Sequence, residues 1–260
     1  MGANETIGIN LDHLRLLILG GTGDATELLA KASLLPQLQI MTSLAGRTQH
    51  PVVPAGAVRI GGFGGVEGLV TYLQQHQIDL LIDATHPFAA QISHHAAAAA
   101  AACGIPHLIL SRPAWQPVPG DRWLDVERIE AAATILPDRA KRVFLTTGRQ
   151  QLAAFAHLES LWFLMRMIDP PLSGTAVPPG ELLFDRGPFS LQDELTLMTH
   201  YGIDTVVSKN SGGEATYAKI RAARELGLPV VMVRRPMLPA AEVAPDIPAA
   251  MAWLTRHIHP

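Results

Sequence analysis

Cysteine is nearly absent from this chain, since Cys103 is the single one among 260 residues. This excludes an intrachain disulfide, and the sequence shows no Cys and His cluster with the spacing of metal ligands. We therefore expect a fold that needs no disulfide and binds no metal. We also expect the protein to be in a reducing compartment such as the cytoplasm.

Charge and long apolar segments are also scarce. Only 17% of residues are charged and the net charge is −3, which argues against a nucleic-acid-binding protein. The most apolar stretch, 89–110, is interrupted by His94 and His95 and contains Gly104 and Pro106, so it does not predict a membrane span. The first residues lack the basic start and apolar core of a signal peptide. The 48% of hydrophobic residues predict a chain with a substantial core.

What the sequence does contain is an alternation of strand and helix patterns. Short aliphatic runs recur at spacings typical of βα units, which predicts an α/β fold with two halves built on parallel sheets. The run at 16–19 is continuous, as expected for a strand buried on both faces. The predicted strands are 16–19, 38–46, 57–62, 78–85, 106–111, 142–148, 161–168, 181–189, 203–210 and 228–236. The predicted helices are 24–34, 66–76, 87–103, 149–155, 191–201, 213–226 and 246–257.

A proline-rich stretch divides the two halves. The segment RPAWQPVPGDRW at 112–123 carries three prolines and a glycine, which is typical of a linker. We therefore predict a flexible leader at 1–13, a first domain at 14–112, a linker at 113–124 and a second domain at 125–260.

The first predicted strand is followed by the turn GGTGDA at 20–25. Glycines let a backbone approach a pyrophosphate closely, and the helix that follows offers unpaired N–H groups and a partial positive charge. The spacing departs from G-x-G-x-x-G, because Thr26 stands where a third glycine is expected. A plain strand-to-helix turn is the alternative to a nucleotide site.

Ser43 and Arg47 follow the second predicted strand, where an NAD site usually places an acidic residue. A hydroxyl and a cation suit the 2′-phosphate of NADPH. The pair therefore favours NADPH over NADH, and a solvated surface arginine is the alternative.

The next two strand ends carry less specific signals. The segment GGFGG at 61–65 is typical either of a backbone close to a flat ligand or of a flexible loop. The segment DATHPFA at 83–89 places Thr85 and His86 just before a helix predicted to start at Pro87. His86 has the chemistry to cap that helix, to donate to a ligand or to titrate near neutral pH.

The second half repeats this arrangement of cations after strands. Arg149 follows the strand at 142–148, Arg186 lies in RGPF, and Lys209 opens SKNSGGEAT at 208–216. The pair Gly212 and Gly213 is predicted to lead directly into a helix. A capped helix behind a lysine is the alternative interpretation of that segment.

Several cations thus lie at or near predicted strand ends of an acidic chain. This clustering indicates a polyanionic ligand, which is a dinucleotide alone or a dinucleotide together with a substrate carrying several carboxylates. The cations are Arg47, Arg112, Arg149, Arg186, Lys209 and Lys219.

Five strings of the sequence resemble the precorrin-6A and cobalt-precorrin-6A reductase family of corrin (cobalamin) biosynthesis. They are LILGGTGDATELLA, IDATHPFAAQIS, LSRPAW, RGPFSLQDE and VVSKNSGGEATYAKIRAARELGLPVVMVRRP, in this order between residues 17 and 236. The resemblance implies two Rossmann-like domains with the active site in the interdomain cleft. It also implies NADPH-dependent reduction of one ring double bond of precorrin-6A, or of its cobalt form, a tetrapyrrole with many carboxylates.

The roles that this resemblance implies fall into three groups. The pyrophosphate is expected on Gly20, Gly21, Thr22, Gly23, Asp24 and Ala25, and the 2′-phosphate on Ser43 and Arg47. The nicotinamide side is expected to be lined by Gly62, Gly64, Thr85, His86 and Pro87. The substrate is expected to face Arg149, Arg186, Lys209, Asn210, Ser211, Gly212, Gly213 and Thr216, with Lys209, His86 or water as the proton source.

Two other functions stay open at this level. One is an NADP-binding sensor without turnover, and the intact KNSGG and RGPF strings count against it. The other is a two-domain α/β transferase that binds a nucleotide-linked donor in its second half.

Overall fold

The computed structural model describes residues 13–46 and 57–259. These residues form two compact units that are each built around their own parallel sheet. The first unit contains the described residues up to Ser111 together with those from Leu238 onward, and the second unit is Arg112–Met237.

The described residues contain strands and helices in regular alternation. The strands are β1 (Leu14–Leu19), β2 (Leu38–Leu44), β3 (Ala57–Ile60), β4 (Leu80–Asp83), β5 (His107–Leu110), β6 (Arg122–Val126), β7 (Arg142–Leu145), β8 (Trp162–Met167), β9 (Gly180–Phe184), β10 (Thr205–Lys209), β11 (Pro229–Val233) and β12 (Glu242–Ala244). The α-helices are α1 (Gly23–Ala32), α2 (Val66–Gln75), α3 (Ala90–Cys103), α4 (Ile129–Ile135), α5 (Leu191–His200), α6 (Ala218–Glu225) and α7 (Ile247–Ile258). A 3-10 helix spans Arg149–Phe155.

The sheet of the first unit has the strand order β12-β5-β4-β1-β2-β3, and all its strands are parallel. Side chains alternate between its two faces, because successive residues of a strand point in opposite directions. Leu16 and Ile18 of β1 lie in a core with α1 and α7, whereas Leu17 and Leu19 lie in a core with α2 and α3. Helices therefore cover both faces of the sheet, as predicted.

The sheet of the second unit has the order β6-β11-β10-β7-β8-β9 and is also parallel throughout. Helices α5 and α6 cover one face, where Met198 and Ile220 pack against Phe144. On β8, Phe163 lies 5.9 Å from the ring of Phe155 in the 3-10 helix. The predicted α/β class with two parallel-sheet halves is confirmed.

The last part of the chain differs from its predicted place in the second half. Strand β12 pairs in parallel with β5 of the first sheet, and α7 buries Trp253 and Leu254 in the first core. The backbone continues this pairing, since Ser111 N–H donates to Ala244 C=O at 2.9 Å. The edge strand β12 of the first sheet is thus more than a hundred positions from its neighbour β5 in the sequence.

The predicted linker at 113–124 also differs, because it belongs to the second unit. Its end forms β6, which pairs with β11, and Trp115 is buried in the second core. Asp121 is held by Arg224 through a contact of 2.8 Å between Arg224 Nε and Asp121 Oδ1. The segment is therefore joined to the second unit at Trp115, Asp121 and β6, while residues 116–120 are exposed.

Two helices begin later than predicted. Pro87 lies in a turn closed by a 2.7 Å hydrogen bond from Ala89 N–H to His86 C=O, and α3 starts at Ala90. This is the second position of a β-turn, which proline favours. Likewise, turns follow Gly213, and α6 starts at Ala218.

The place of the C-terminal helix gives a stability prediction. Trp253 is 1% exposed in the first core, and we expect Trp253→Ala to lower the free energy of unfolding by about 3–5 kcal/mol. Arg256 lies on the exposed side of the same helix, so Arg256→Ala is expected to change it by less than about 0.5 kcal/mol. Urea unfolding followed by circular dichroism measures both, and equal small effects would place α7 outside the core.

Candidate functional site

The glycine turn after β1 is fixed by contacts from two neighbouring strands. Gly20 N–H donates to Ser43 C=O at 2.9 Å. The hydroxyl of Thr22 donates to Ala84 C=O at 2.8 Å and accepts from Ala25 N–H at 3.0 Å, which caps α1. The turn is thereby joined to the ends of β2 and β4, the strands on either side of β1.

The outer part of this turn leaves backbone open to a ligand. Gly21 has a φ of +109°, and a Cβ added at Gly21 or Gly23 would meet no atom within 4 Å. Gly20 is different, since its Cβ would lie 3.4 Å from side-chain atoms of Thr42 and Leu44. Two open glycines, one before α1 and one at its first position, fit a pyrophosphate.

Asp24 and Ala25 already belong to the first turn of α1. Ala25 is buried in the first core, and the carboxylate of Asp24 lies where the helix dipole favours negative charge. Their predicted part in holding a pyrophosphate stays a prediction, and the open backbone at Gly21 and Gly23 is the better candidate contact.

At the end of β2, Ser43 lies beside Arg59, a cation that no sequence motif indicates. Ser43 is 5% exposed and stands in register with Arg59 of β3. Arg59 NH1 donates to Ser43 Oγ at 3.4 Å. Arg47, the cation predicted at this place, lies outside the described residues.

Arg59 also holds the GGFGG loop. Its guanidinium donates to the C=O groups of Gly61 and Gly62, each at 2.6 Å, and lies 4.0 Å from the ring centroid of Phe63. A Cβ on Gly68 of α2 would lie 1.7 Å from Phe63 C=O, so only glycine lets the loop approach the helix. The loop is therefore held by Arg59 and packs closely against α2.

The structure does not bring the five predicted nicotinamide-side residues together. Gly62 and Gly64 follow β3, whereas Thr85, His86 and Pro87 follow β4, and β1 and β2 lie between these strands. Three strand spacings amount to about 14 Å. In a doubly wound sheet, a dinucleotide extends to both sides of the central turn. The GGFGG loop is therefore on the side of Ser43, opposite the side of His86.

A buried carboxylate organises the end of β4. Asp83 is 1% exposed, and its Oδ1 accepts from the N–H and the hydroxyl of Thr85 at 3.0 and 2.6 Å. Its Oδ2 has no hydrogen-bond partner among the described residues. Burial lowers the pKa of His107, and the charge of Asp83 partly opposes that shift.

His86 is exposed at the turn that follows. Its Nδ1 accepts a hydrogen bond of 3.2 Å from Phe88 N–H, so the neutral ring carries its proton on Nε2. His86 therefore lies in the turn between β4 and α3, and its ligand-binding role stays a prediction. It does not cap α3, which begins later.

In the second unit, cations lie at the ends of adjacent strands. Lys209 Nζ at the end of β10 donates to Thr147 C=O after β7 at 2.9 Å. Arg149 NH1 donates to Pro170 C=O at 2.8 Å, in the loop after β8. Arg186 is exposed after β9. The structure thus places the three predicted cations at the carboxyl ends of one sheet.

The KNSGG turn is held from within its own unit. Asn210 Oδ1 accepts from Trp115 N–H at 2.8 Å, and Asn210 Nδ2 donates to Trp115 C=O at 3.0 Å. Arg112 Nε donates to the C=O groups of Ser211 and Gly212, each at 3.0 Å. The side-chain amide of Asn210 therefore holds the backbone of the 112–115 segment at Trp115.

The two glycines of this turn have no room for a side chain. A Cβ on Gly212 would lie 2.2 Å from Pro113 C=O, and one on Gly213 would lie 2.7 Å from Arg112 Cδ. Their φ values are +67° and +72°. Glycine is required here for packing, so a substrate role for these glycines stays a prediction.

A buried ionic cluster lies behind this turn. Arg166 and Glu194 form an ion pair of 2.5 Å, and both are less than 10% exposed. Lys219 is 4% exposed, donates to Thr216 C=O at 2.9 Å and lies 5.1 Å from the Trp115 ring centroid. Burial is the main cause that lowers the pKa of Lys219 to about 7. The positive charge of Arg166 adds to this shift, and the negative charge of Glu194 opposes it.

Two searches of the described residues concern other classes of site. No group of three or more His, Cys, Asp and Glu side chains within 13–46 and 57–259 is arranged to hold a metal ion. In the same part of the chain, no helix combines the length and the apolar character that crossing a membrane demands.

Comparison with protein families decides what the chain is related to. The family described as precorrin-6x reductase CbiJ/CobK matches residues 15–255. The chain belongs to this family. The sequence resemblance is thereby confirmed over nearly the whole length.

Individual members of the precorrin-6x reductase family are similar along their full lengths. A precorrin-6A reductase of Rhodococcus erythropolis is 52% identical over 92% of this chain and 97% of its own length. One of Mycobacterium tuberculosis is 47% identical over the same shares. A cobalt-precorrin-6A reductase of Priestia megaterium is 30% identical over 86% of this chain and 91% of its own length.

A solved structure supports the fold. The structure of a CobK precorrin-6A reductase is 41% identical and superposes with a TM-score of 0.87, covering 94% of this chain and 97% of its own. The parallel-sheet architecture described above is thus the architecture of the family.

The contacts of Asn210 give a prediction about its role. Asn210→Ala removes two hydrogen bonds to the Trp115 backbone, and we expect it to lower the free energy of unfolding by about 1–3 kcal/mol. Gln192 is an exposed amide in the same unit, and Gln192→Ala is expected to have almost no effect. Urea unfolding measures both. If Asn210→Ala left the free energy of unfolding unchanged, the side chain would not stabilise the fold, and only its predicted role in substrate binding would remain.

The buried Lys219 predicts a pH dependence of stability. Its pKa is about 7 in the folded protein against an ordinary 10.5, so the unfolded chain binds more protons between these values and stability rises with pH across this window. We expect a contribution of about 2 kcal/mol between pH 7 and pH 9. Urea unfolding at both pH values measures it.

The matched control is Lys219→Met, which keeps the aliphatic length and removes the charge. The free energy of unfolding should rise less between pH 7 and pH 9 in this variant than in the wild type, by the contribution of Lys219. Identical pH profiles for the two proteins would show that Lys219 stays charged in the fold.

Proposed function

We propose that this protein reduces one ring double bond of precorrin-6A with NADPH. The observation that carries the proposal is the 52% identity with a precorrin-6A reductase that spans 97% of that relative. The glycine turn, the buried Ser43 and the strand-end cations support it, because they supply the groups that a phosphorylated cofactor and a polycarboxylate substrate need.

The metal-free form of the substrate is the better supported one. Five relatives named precorrin-6A reductase are 42–52% identical, whereas three named cobalt-precorrin-6A reductase are 27–30% identical. We therefore infer that metal-free precorrin-6A is the substrate and that cobalt-precorrin-6A is the second candidate.

The residues of the first unit fit NADPH by their local structure. The open backbone of Gly21 and Gly23 accepts a pyrophosphate, and the side of β2 and β3 accepts the adenosine. The side of β4, with Thr85 and His86, then faces the nicotinamide. When bound, NADPH supplies a hydride to the macrocycle.

The second unit contributes charge for the substrate. Arg149, Arg186 and Lys209 are proposed to pair with its carboxylates, while Asn210 and the glycines after it hold the edge that carries Lys209. Lys209, His86 and water are the candidate proton sources. A proton reaches the carbon next to the one that receives the hydride.

An activity assay tests the proposal. Purified protein is incubated with NADPH and either metal-free or cobalt-containing precorrin-6A, and the absorbance of the reduced nicotinamide is followed. We expect substrate-dependent loss of absorbance, faster with the metal-free form. Binding of NADPH without turnover of either substrate would instead favour the sensor function.

A variant of Lys209 tests the assignment of the second unit. Lys209→Met removes a cation at the carboxyl end of β10, and we expect at least about a tenfold loss of kcat/KM for precorrin-6A with an unchanged Kd for NADPH. Lys141 is an exposed lysine at the opposite end of the same sheet, so Lys141→Met is the control. If Lys209→Met weakened NADPH alone, the substrate role of this edge would be wrong.

A further inference from the structure

Arg59 is a cation near the end of a strand of the first unit, and the proposed function leaves its chemistry unused. It is the third residue of β3, an edge strand, and is half-buried. Its partner in register is Ser43, and Ser43 C=O in turn accepts from Gly20 N–H of the dinucleotide turn at 2.9 Å. Arg59 is therefore one strand beyond the residue that borders the turn.

The guanidinium plane of Arg59 is fixed in position before any ligand binds. Two backbone C=O groups accept from NH1 and NH2, both at 2.6 Å, and the ring of Phe63 lies 4.0 Å from the guanidinium. The same ring contacts Tyr72 edge-on at 5.1 Å. A donor held in this way loses little conformational entropy when an anion binds.

The charge of Arg59 is not neutralised by these contacts. Carbonyl oxygens and a hydroxyl are its hydrogen-bond acceptors, and no carboxylate within the described residues forms an ion pair with it. Its hydrogen bonds use three of the five N–H groups that a guanidinium has. A fixed, half-buried cation of this kind is typical of a phosphate-binding residue.

The second polar group at this place is the hydroxyl of Ser43. It is 5% exposed, and its hydrogen bond from Arg59 NH1 is long, at 3.4 Å. A phosphate oxygen makes shorter hydrogen bonds, of about 2.7–2.9 Å, with both groups. The pair thus offers a hydroxyl and a guanidinium on the adenosine side of the turn.

We propose that Arg59 of β3, together with Ser43, binds the 2′-phosphate of NADPH and sets the preference over NADH. The inference rests on the proposed function, because it assumes a dinucleotide on the turn after β1. It assigns to Arg59 a second task besides holding the carbonyls of Gly61 and Gly62, and it makes the GGFGG loop the support of the phosphate site.

The experiment measures binding and not turnover. Isothermal titration calorimetry gives the Kd values of NADPH, NADH, 2′,5′-ADP and 5′-AMP for the wild-type protein and for Arg59→Gln. The fragments 2′,5′-ADP and 5′-AMP differ in the 2′-phosphate and contain no nicotinamide. We expect Arg59→Gln to weaken NADPH and 2′,5′-ADP by about tenfold to a hundredfold, and NADH and 5′-AMP by less than about threefold.

Two further variants separate charge from loop structure. Phe63→Leu removes the ring that lies against the guanidinium and keeps the cation, so it should weaken NADPH more than NADH, but by a smaller factor than Arg59→Gln does. Arg256→Gln removes an exposed cation on α7 in the same unit and should change none of the four Kd values. Thermal unfolding by circular dichroism verifies that each variant is folded.

The possible results distinguish two failures. If the wild type binds neither NADPH nor 2′,5′-ADP, the proposed cofactor is wrong. If the wild type prefers 2′,5′-ADP over 5′-AMP and Arg59→Gln keeps that preference, the assignment of Arg59 alone is overturned. An equal loss for all four ligands in Arg59→Gln would also overturn it, since Arg59 would then act through the loop only.

Discussion

Every strand in both sheets runs parallel to its neighbours, and the placement of the functional groups depends on this constraint. Parallel pairing requires a crossover after each strand, so all carboxyl ends of a sheet meet at one edge. Residues far apart in sequence come into contact there. Thr22 reaches Ala84 at 2.8 Å in the first unit, and Lys209 reaches Thr147 at 2.9 Å in the second.

Much of this architecture is predictable because its signals are local. Strands buried on both faces are continuous aliphatic runs, such as the one ending at Leu19. Threonine is a favoured residue at the start of a helix, and Thr22 caps α1. The residue types after each strand then indicate which side chains gather at the edge. The positions of the turn at 20–25, Ser43 and Lys209 at strand ends are predictable in this way, and their roles stay predictions.

Other features depend on pairs that the sequence does not reveal. Strand β12 has three residues and gains its place only by pairing with β5. Arg59 looks like an ordinary strand residue until the loop after β3 folds back onto it. Which loops lie on the Ser43 side of the turn after β1, and which on the His86 side, follows only from the strand order. The hydrogen bonds of the Asn210 amide are not predictable from local sequence, because its partner, Trp115, lies 95 positions away.

The return of the chain to the first sheet has a consequence for the order of folding during synthesis. The second unit is one continuous segment, Arg112–Met237, and holds all of its own strands once it has left the ribosome. The first unit begins earlier but lacks Trp253 and Leu254 until the residues of α7 have emerged. Domains usually fold in the order in which they are made. Here the half that is made first is completed last, and its sheet keeps an open edge at β5 until β12 arrives.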